Sequence, residues 1–92
     1  MKAKLICYTL KHPDHKRRSK FKREFLGYND KSNKGRYHYH RNGLLGNIPH
    51  FKPIRSIIIV KPKDLSKVKK VLKAYKAKLF VFDVFVKSDI FN

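Results

Sequence analysis

Apolar positions in this chain gather into three runs, separated by stretches dense in lysine and arginine. The clearest organisation spans residues 55–87. Ile57, Ile58, Ile59 and Val60 form an unbroken β-branched run. Such residues are stiff at χ1 and suit a pleat, and the lack of alternation predicts a strand covered on both faces. Pro62 has no N–H to give to a ladder, so the strand should end there. Asp64 stands next as an N-cap, its carboxylate meeting the positive end of a helix dipole. Leu65, Val68, Val71, Leu72 and Tyr75 recur at helical spacing. Burying them yields about 8–12 kcal/mol of transfer free energy, an upper figure because the unfolded chain is partly collapsed. Lys67, Lys69, Lys70, Lys73 and Lys76 occupy the opposite side. Leu79 to Val86 is apolar except for Asp83 and reads as a second strand, Phe80, Phe82, Val84 and Val86 alternating with Leu79, Val81 and Phe85.

The same patterning organises the first half. Lys2 to Leu10 (KAKLICYTL) is apolar on both alternating faces and reads as a central strand. His12-Pro13-Asp14 breaks it. From Asp14 or His15 to Leu26 the chain reads as a helix closed by Gly27, which takes a left-handed C′ conformation without penalty. Its apolar stripe is thin, Phe21, Phe25 and Leu26, amid Lys16, Arg17, Arg18, Lys20, Lys22 and Arg23. Like charges at Lys16/Lys20 and Arg18/Lys22 oppose an isolated helix, so it should form only by docking its phenylalanines on a sheet, or fray without a ligand. Tyr28 to Lys34 is rich in turn formers and reads as a loop. Gly35 to Arg41 alternates as an edge strand, Tyr37 and Tyr39 on one side, Arg36, His38 and His40 on the other. After the Asn42-Gly43 turn, Leu44 to Pro53 reads as a long connection whose Leu44, Leu45, Ile48 and Phe51 should fold back onto the sheet or meet a partner. Ser88 to Asn92 reads as a short loose end.

The resulting string is β-α-β-β-α-β. Right-handed crossovers give an α+β domain: a four-stranded antiparallel sheet of order 4-1-3-2 with both helices on one face. This layout resembles the ferredoxin-like fold over the whole chain, and a fold alone does not settle function. With Phe80, Phe82, Val84 and Val86 turned to the helices, Val81, Phe85 and Tyr8, with Tyr37 and Tyr39, lie on the open face. That face stacks bases, pairs with a second copy, or is covered by Leu44 to Phe51.

The 92 residues make one domain, 1–92, with a modest core, and the 13% aromatic content is too rich for a disordered tail. No apolar run has the ~20 residues of a membrane span, the start of the chain lacks the pattern of a signal peptide, and the lone Cys7 suits a small buried hydrophobe in a reducing, cytoplasmic compartment. Charge changes the picture most. Lys and Arg number 24 against 6 acids, a formal net charge of +18. So strong an imbalance in so small a domain is self-repulsive and calls for a polyanionic partner, nucleic acid before a membrane surface. A merely heat-adapted surface would mix both signs.

Candidate chemistry is sparse. His38 and His40 point the same way on one strand, but zinc needs two more ligands, with Cys7 and His50 the nearest candidates, and neither CxxC nor HExxH occurs. No metal and no other cofactor is expected. Carboxylates scattered one at a time argue against a metal-dependent nuclease. The expectation is an RNA-binding protein, a structural part of a ribonucleoprotein such as the ribosome, with RNA favoured over DNA. Lys16, Arg17, Arg18, Lys20, Lys22 and Arg23, with Arg36, His38, His40 and Arg41, grip phosphates, and Tyr37 and Tyr39 supply stacking. The alternatives are a small metal-independent endoribonuclease using His38 or His40 and a sequence-nonspecific DNA-coating protein.

Resemblances to known families add little. The signatures of the RNA-recognition motif are broken at Ile6 to Leu10 and at Lys34 to His38. LICYTLKHPDHKRRSKFKREF is similar in layout to the small CRISPR-associated nucleases, but Tyr8 and Thr9 stand where those enzymes carry a metal-binding Asp. GRYHYHRNGLLGNIP, within residues 35–60, resembles small basic archaeal proteins of ribosome-associated or uncharacterised kind, which implies a ribosome-associated, cytoplasmic role.

Overall fold

The computed structural model describes residues 1–11, 14–32 and 37–91, with the backbone alone for 29–32 and 37–40. The elements run β1 (Lys2–Thr9), α1 (His15–Leu26), β2 (Tyr28–Ser32), β3 (Tyr37–Arg41), β4 (His50–Ile54), β5 (Ile57–Val60), α2 (Leu65–Ala74) and β6 (Lys78–Phe85). Single turns of 3-10 helix occupy Leu44–Asn47, Pro62–Asp64 and Ser88–Phe91. Four strands form one antiparallel sheet in the order β4-β5-β1-β6, and β2 and β3 form a separate two-stranded sheet. Together with the two helices this is an α+β layout compatible with a ferredoxin-like fold.

β1 is central, as its two apolar faces predict, and pairs Ile6 with both Ile58 and Val81. The face carrying Ile6, Ile58 and Val60 receives both helices, since Phe21 and Phe25 of α1 and Val68 and Leu72 of α2 join those residues in one core. The N-terminus of α1 follows the sequence, and at its C-terminus Gly27 takes a positive φ but, with ψ −179°, not the left-handed helical conformation expected. Asp14 accepts a hydrogen bond from the Lys16 N–H at 3.0 Å, and Gly27, at φ 89°, donates its N–H to the Arg23 carbonyl at 3.0 Å. Leu45 and Ile48 fold back into the core, as the apolar connection predicts.

The structure corrects several expectations. The edge strand of the main sheet is not Gly35–Arg41 but β4, inside the stretch expected to be a connection. β4 returns to β5 through the two-residue turn at Arg55 and Ser56, and so short a closure costs little chain entropy. Pro53 is tolerated there because an edge strand has an unpaired side, and the register shifts between Phe51 and Ile54. β3 instead pairs with β2, where a loop was expected, Tyr28 lying opposite Arg41. Gly27 and Gly43 meet at the base of this hairpin so closely that a Cβ on Gly43 would stand 2.5 Å from the Gly27 nitrogen.

The faces of β6 are also reversed. Leu79 and Val81 pack toward the helices, whereas Phe80 and Phe82 are exposed on the open face. Register decides this: Val81 lies opposite Ile6 under the helices, and Phe82 lies opposite Leu5 on the other side. Tyr8, expected on the open face, shares the Ile6 side and packs on the core. Cys7 is only half-buried on the open face. Asp64 takes the N-cap position of α2 without making a side-chain cap; its Oδ1 lies 3.6 Å from Lys67 Nζ, and its Oδ2 is buried without a hydrogen-bond partner among the described residues. Ser88–Phe91 is not a loose end, because it crosses from the end of β6 to pack against β4 at the far edge; Asn92 lies outside the described residues.

Candidate nucleic-acid interface

One side of α1, the end of β1 and the β4–β5 turn enclose an open cleft of about 790 Å³. Its floor is apolar and aromatic, formed by Tyr8, Leu10, Phe21 and Leu26; its rim carries Arg18, Lys22, Lys52 and Arg55, and no acid lines it among the described residues. The residues come together from three distant segments. Helical spacing puts Arg18, Lys22 and Leu26 on one flank of α1, next to the stripe that buries Phe21 and Phe25. Lys52 and Arg55 come from the hairpin that adds β4 to the sheet. The Tyr8 N–H donates to the Ser56 carbonyl at 3.0 Å and so pins the turn against β1. Ser56 itself adopts φ 67°, a conformation few non-glycine residues take.

Tyr8 is held in place by aromatic neighbours. Its ring stands edge-on to Phe25 at 5.5 Å and tilted to Phe21 at 6.1 Å, while Lys52 Nζ lies 5.9 Å from its centroid. Burial pushes the Tyr8 hydroxyl above its ordinary pKa, so it remains a neutral donor at physiological pH. Lys52 is displaced the other way. Burial first, and the neighbouring Arg55 charge second, lower its pKa. Its ammonium donates to the Ile54 carbonyl at 3.1 Å. Clustered cations without a counter-charge form an anion site, where arginine supplies a planar two-donor fork and lysine a point charge.

The structure divides the basic residues expected on α1 among three sides of the helix. Arg18 and Lys22 line the cleft. Lys16, Lys20 and Arg23 lie on the outer side with His15 and Ser19, and the Arg23 guanidinium stacks 5.0 Å over the Tyr28 ring. Arg17 and Lys20 flank Glu24 and Tyr75 toward α2. There the Tyr75 hydroxyl donates to the Glu24 carboxylate, which, with burial added, raises the tyrosine pKa. Arg36 lies outside the described residues, as do the side chains of Tyr37, His38, Tyr39 and His40; β3, which carries those four and the exposed Arg41, stands in the separate hairpin. Tyr8, expected among the aromatics of the open face, stands in the cleft instead, and Lys52 and Arg55 were missed by the sequence reading. The available signal was the pair of cations bracketing Pro53-Ile54 before the β-branched run.

Among the described residues, no group of three or more His, Cys, Asp or Glu side chains is arranged to hold a metal ion, and no helix is long and apolar enough to cross a membrane. His50 Nδ1 lies 3.1 Å from the Ile48 carbonyl. No family model, curated protein or solved structure matches the chain.

Proposed function

We propose that this protein binds RNA and serves in the cytoplasm as a structural part of a ribonucleoprotein such as the ribosome. The observation that carries this reading is the cleft in which Arg18, Lys22, Lys52 and Arg55 surround an aromatic floor, with no acid among the described residues that line it. A volume near 790 Å³ lies within the range of ~300–1,000 Å³ that accommodates small ligands, enough for a nucleotide unit of a longer strand. Arg18 and Arg55 fork onto phosphate oxygens, Lys22 and Lys52 neutralise the neighbouring charge, and the Tyr8 edge contacts a ribose or an unstacked base. The lysines of α2 and the outer side of α1 add a diffuse, sequence-independent attraction consistent with the net charge of +18.

The test is a binding series of folded RNA, single-stranded RNA and duplex DNA against the wild type and Arg18→Gln/Arg55→Gln. Folded RNA is expected to bind most tightly and to be recovered intact. The double variant should bind it about tenfold more weakly, since hydrogen bonds to charged groups contribute about 1.5–3 kcal/mol each before solvent screening. Equal binding of all three polymers would favour a DNA-coating protein. Cleavage without added metal, lost on His38→Ala or His40→Ala, would favour a ribonuclease.

A further inference from the structure

The sheet face turned away from the helices carries a second surface. Register places Leu5 and Cys7 of β1 between Ile59 and Ile57 of β5 on one side and Phe82 and Phe80 of β6 on the other. Phe51 and Ile54 of β4 extend the row, opposite Ile59 and Ile57. Phe80 and Phe82 are each 53% exposed, Phe51 41% and Ile54 62%. With about 200 Å² for a whole phenylalanine, these four leave roughly 400 Å² of apolar surface in water, the size of a functional patch.

The composition of this face is unlike the rest of the molecule. Lys and Arg make up 24 of the 92 residues, yet none stands among the eight just named. Lys78 lies at one margin, its Nζ 5.5 Å from the Phe80 ring, and Lys61 at the other, 5.9 Å from the Phe91 ring. A base-stacking platform needs cations interleaved with its aromatics to follow the phosphate backbone. A centre stripped of charge and rich in phenylalanine, with cations at its margins, is the composition of a protein–protein interface core.

We propose that this face packs against the same face of a second copy of the chain. Pairing removes the patch from water on both copies, about 800 Å² from the four most exposed side chains alone. The half-buried Leu5, Cys7, Ile57 and Val84 bring the total toward the ~1,200 Å² at which specific interfaces begin. Sheets stacked about 10 Å apart leave the helices outermost, so the dimer presents two clefts on opposite sides. Ile54 and Thr9 belong to both surfaces: they line the cleft, and Ile57 and Lys78 lie opposite them on the sheet. The second copy therefore borders the cleft at that margin.

Two copies each carrying +18 repel, and salt screens that repulsion while leaving the apolar contact intact. Self-association should therefore tighten with salt, the opposite of the salt dependence of RNA binding. The experiment is sedimentation of the full chain over a concentration series at low and high salt, with Phe80→Ser/Phe82→Ser alongside and alkylation of Cys7 as a second readout. The wild type is expected to dimerise more tightly as salt rises, with Cys7 alkylated more slowly as the chain concentration increases. The double variant should keep its circular dichroism, dimerise at least tenfold more weakly and lose the protection of Cys7. A wild type that stays monomeric throughout with unprotected Cys7, or a folded variant that dimerises as well as the wild type, would overturn the proposal. So would a wild type without dimer whose RNA binding falls in the variant, since the face would then contact bases. Arg18→Gln/Arg55→Gln, which lowers the repulsion, should dimerise at least as tightly as the wild type while losing RNA affinity, which separates this test from that of RNA binding.

Discussion

Truncating Phe25 to alanine should nearly remove α1 from the fold, whereas the same truncation at Phe82 should cost the monomer far less. Phe25 is fully buried, stacked on Phe21 at 5.1 Å with 20° between the rings and edge-on to Tyr8 at 5.5 Å. A buried Phe→Ala substitution costs about 3–5 kcal/mol. The upper half of that range is expected here, because two aromatic contacts are lost besides the area. The native state of a small domain is stable by only about 5–15 kcal/mol. α1 has little else to hold it: among its residues only Phe21 and Phe25 are buried, and its like-charge pairs each oppose the helix by about 0.2–0.5 kcal/mol. Phe82, with about half of its ~200 Å² still in water, should cost about 1–2 kcal/mol at concentrations where the chain is monomeric. Urea unfolding followed by far-ultraviolet circular dichroism gives both values, and hydrogen exchange at α1 locates the damage. Equal losses from the two variants, or a loss under 1 kcal/mol for Phe25→Ala with α1 amides still protected, would refute the account of how the basic helix is held.

Three further outcomes follow from particular contacts. Gly43→Ala should destabilise by about 1–3 kcal/mol, because its Cβ meets backbone of Gly27 and Phe25, whereas Gly46→Ala, which meets only the Asn42 side chain, should cost much less; thermal melts of the pair check this. Tyr75→Phe should cost about 1 kcal/mol by removing the hydrogen bond to Glu24. Because that bond raises the tyrosine pKa, its contribution is complete below the unfolded pKa and fades as pH rises through the folded one, so melts of wild type and variant should converge at strongly alkaline pH. In the cleft, a lowered Lys52 pKa means that its charge is lost below the usual lysine range as pH rises, so RNA affinity should begin to weaken there. Lys52→Arg should remove that early alkaline loss in a binding titration across pH.

Much of the scaffold is legible in the sequence because its signals are local. The β-branched run at Ile57–Val60, the helical spacing from Leu65 to Tyr75 and the Asp14 and Gly27 caps each specify an element with little help from elsewhere. β6 shows the limit. Its two faces are both apolar, so alternation does not say which is inside, and the pairing of Val81 with Ile6 does. β4 escaped because HFKPI has one proline, one lysine and no clean alternation, and becomes a strand only beside Ile59. β2 was masked by the turn formers Asn29 and Asp30. The cleft is the least legible feature. Arg18 and Lys22 were visible as part of a basic helix, but their separation from Arg17, Lys20 and Arg23 depends on which flank of α1 meets the β4–β5 turn. Lys52 and Arg55 join them only through tertiary contact.

The central claim is that the cleft, rather than the overall positive charge, holds phosphates. The direct measurement is the slope of log K against log salt for a single-stranded RNA, in the wild type, Arg18→Gln/Arg55→Gln and Lys70→Gln/Lys73→Gln on exposed positions of α2. At about 0.7 per phosphate contacted, the four cleft cations account for a slope near −2.8, or about 50-fold in affinity between 50 and 200 mM salt. Removing two should flatten the wild-type slope by about 1.4, while the α2 variant changes it by much less. A cleft variant with an unchanged slope, and an α2 variant that loses it, would contradict the account.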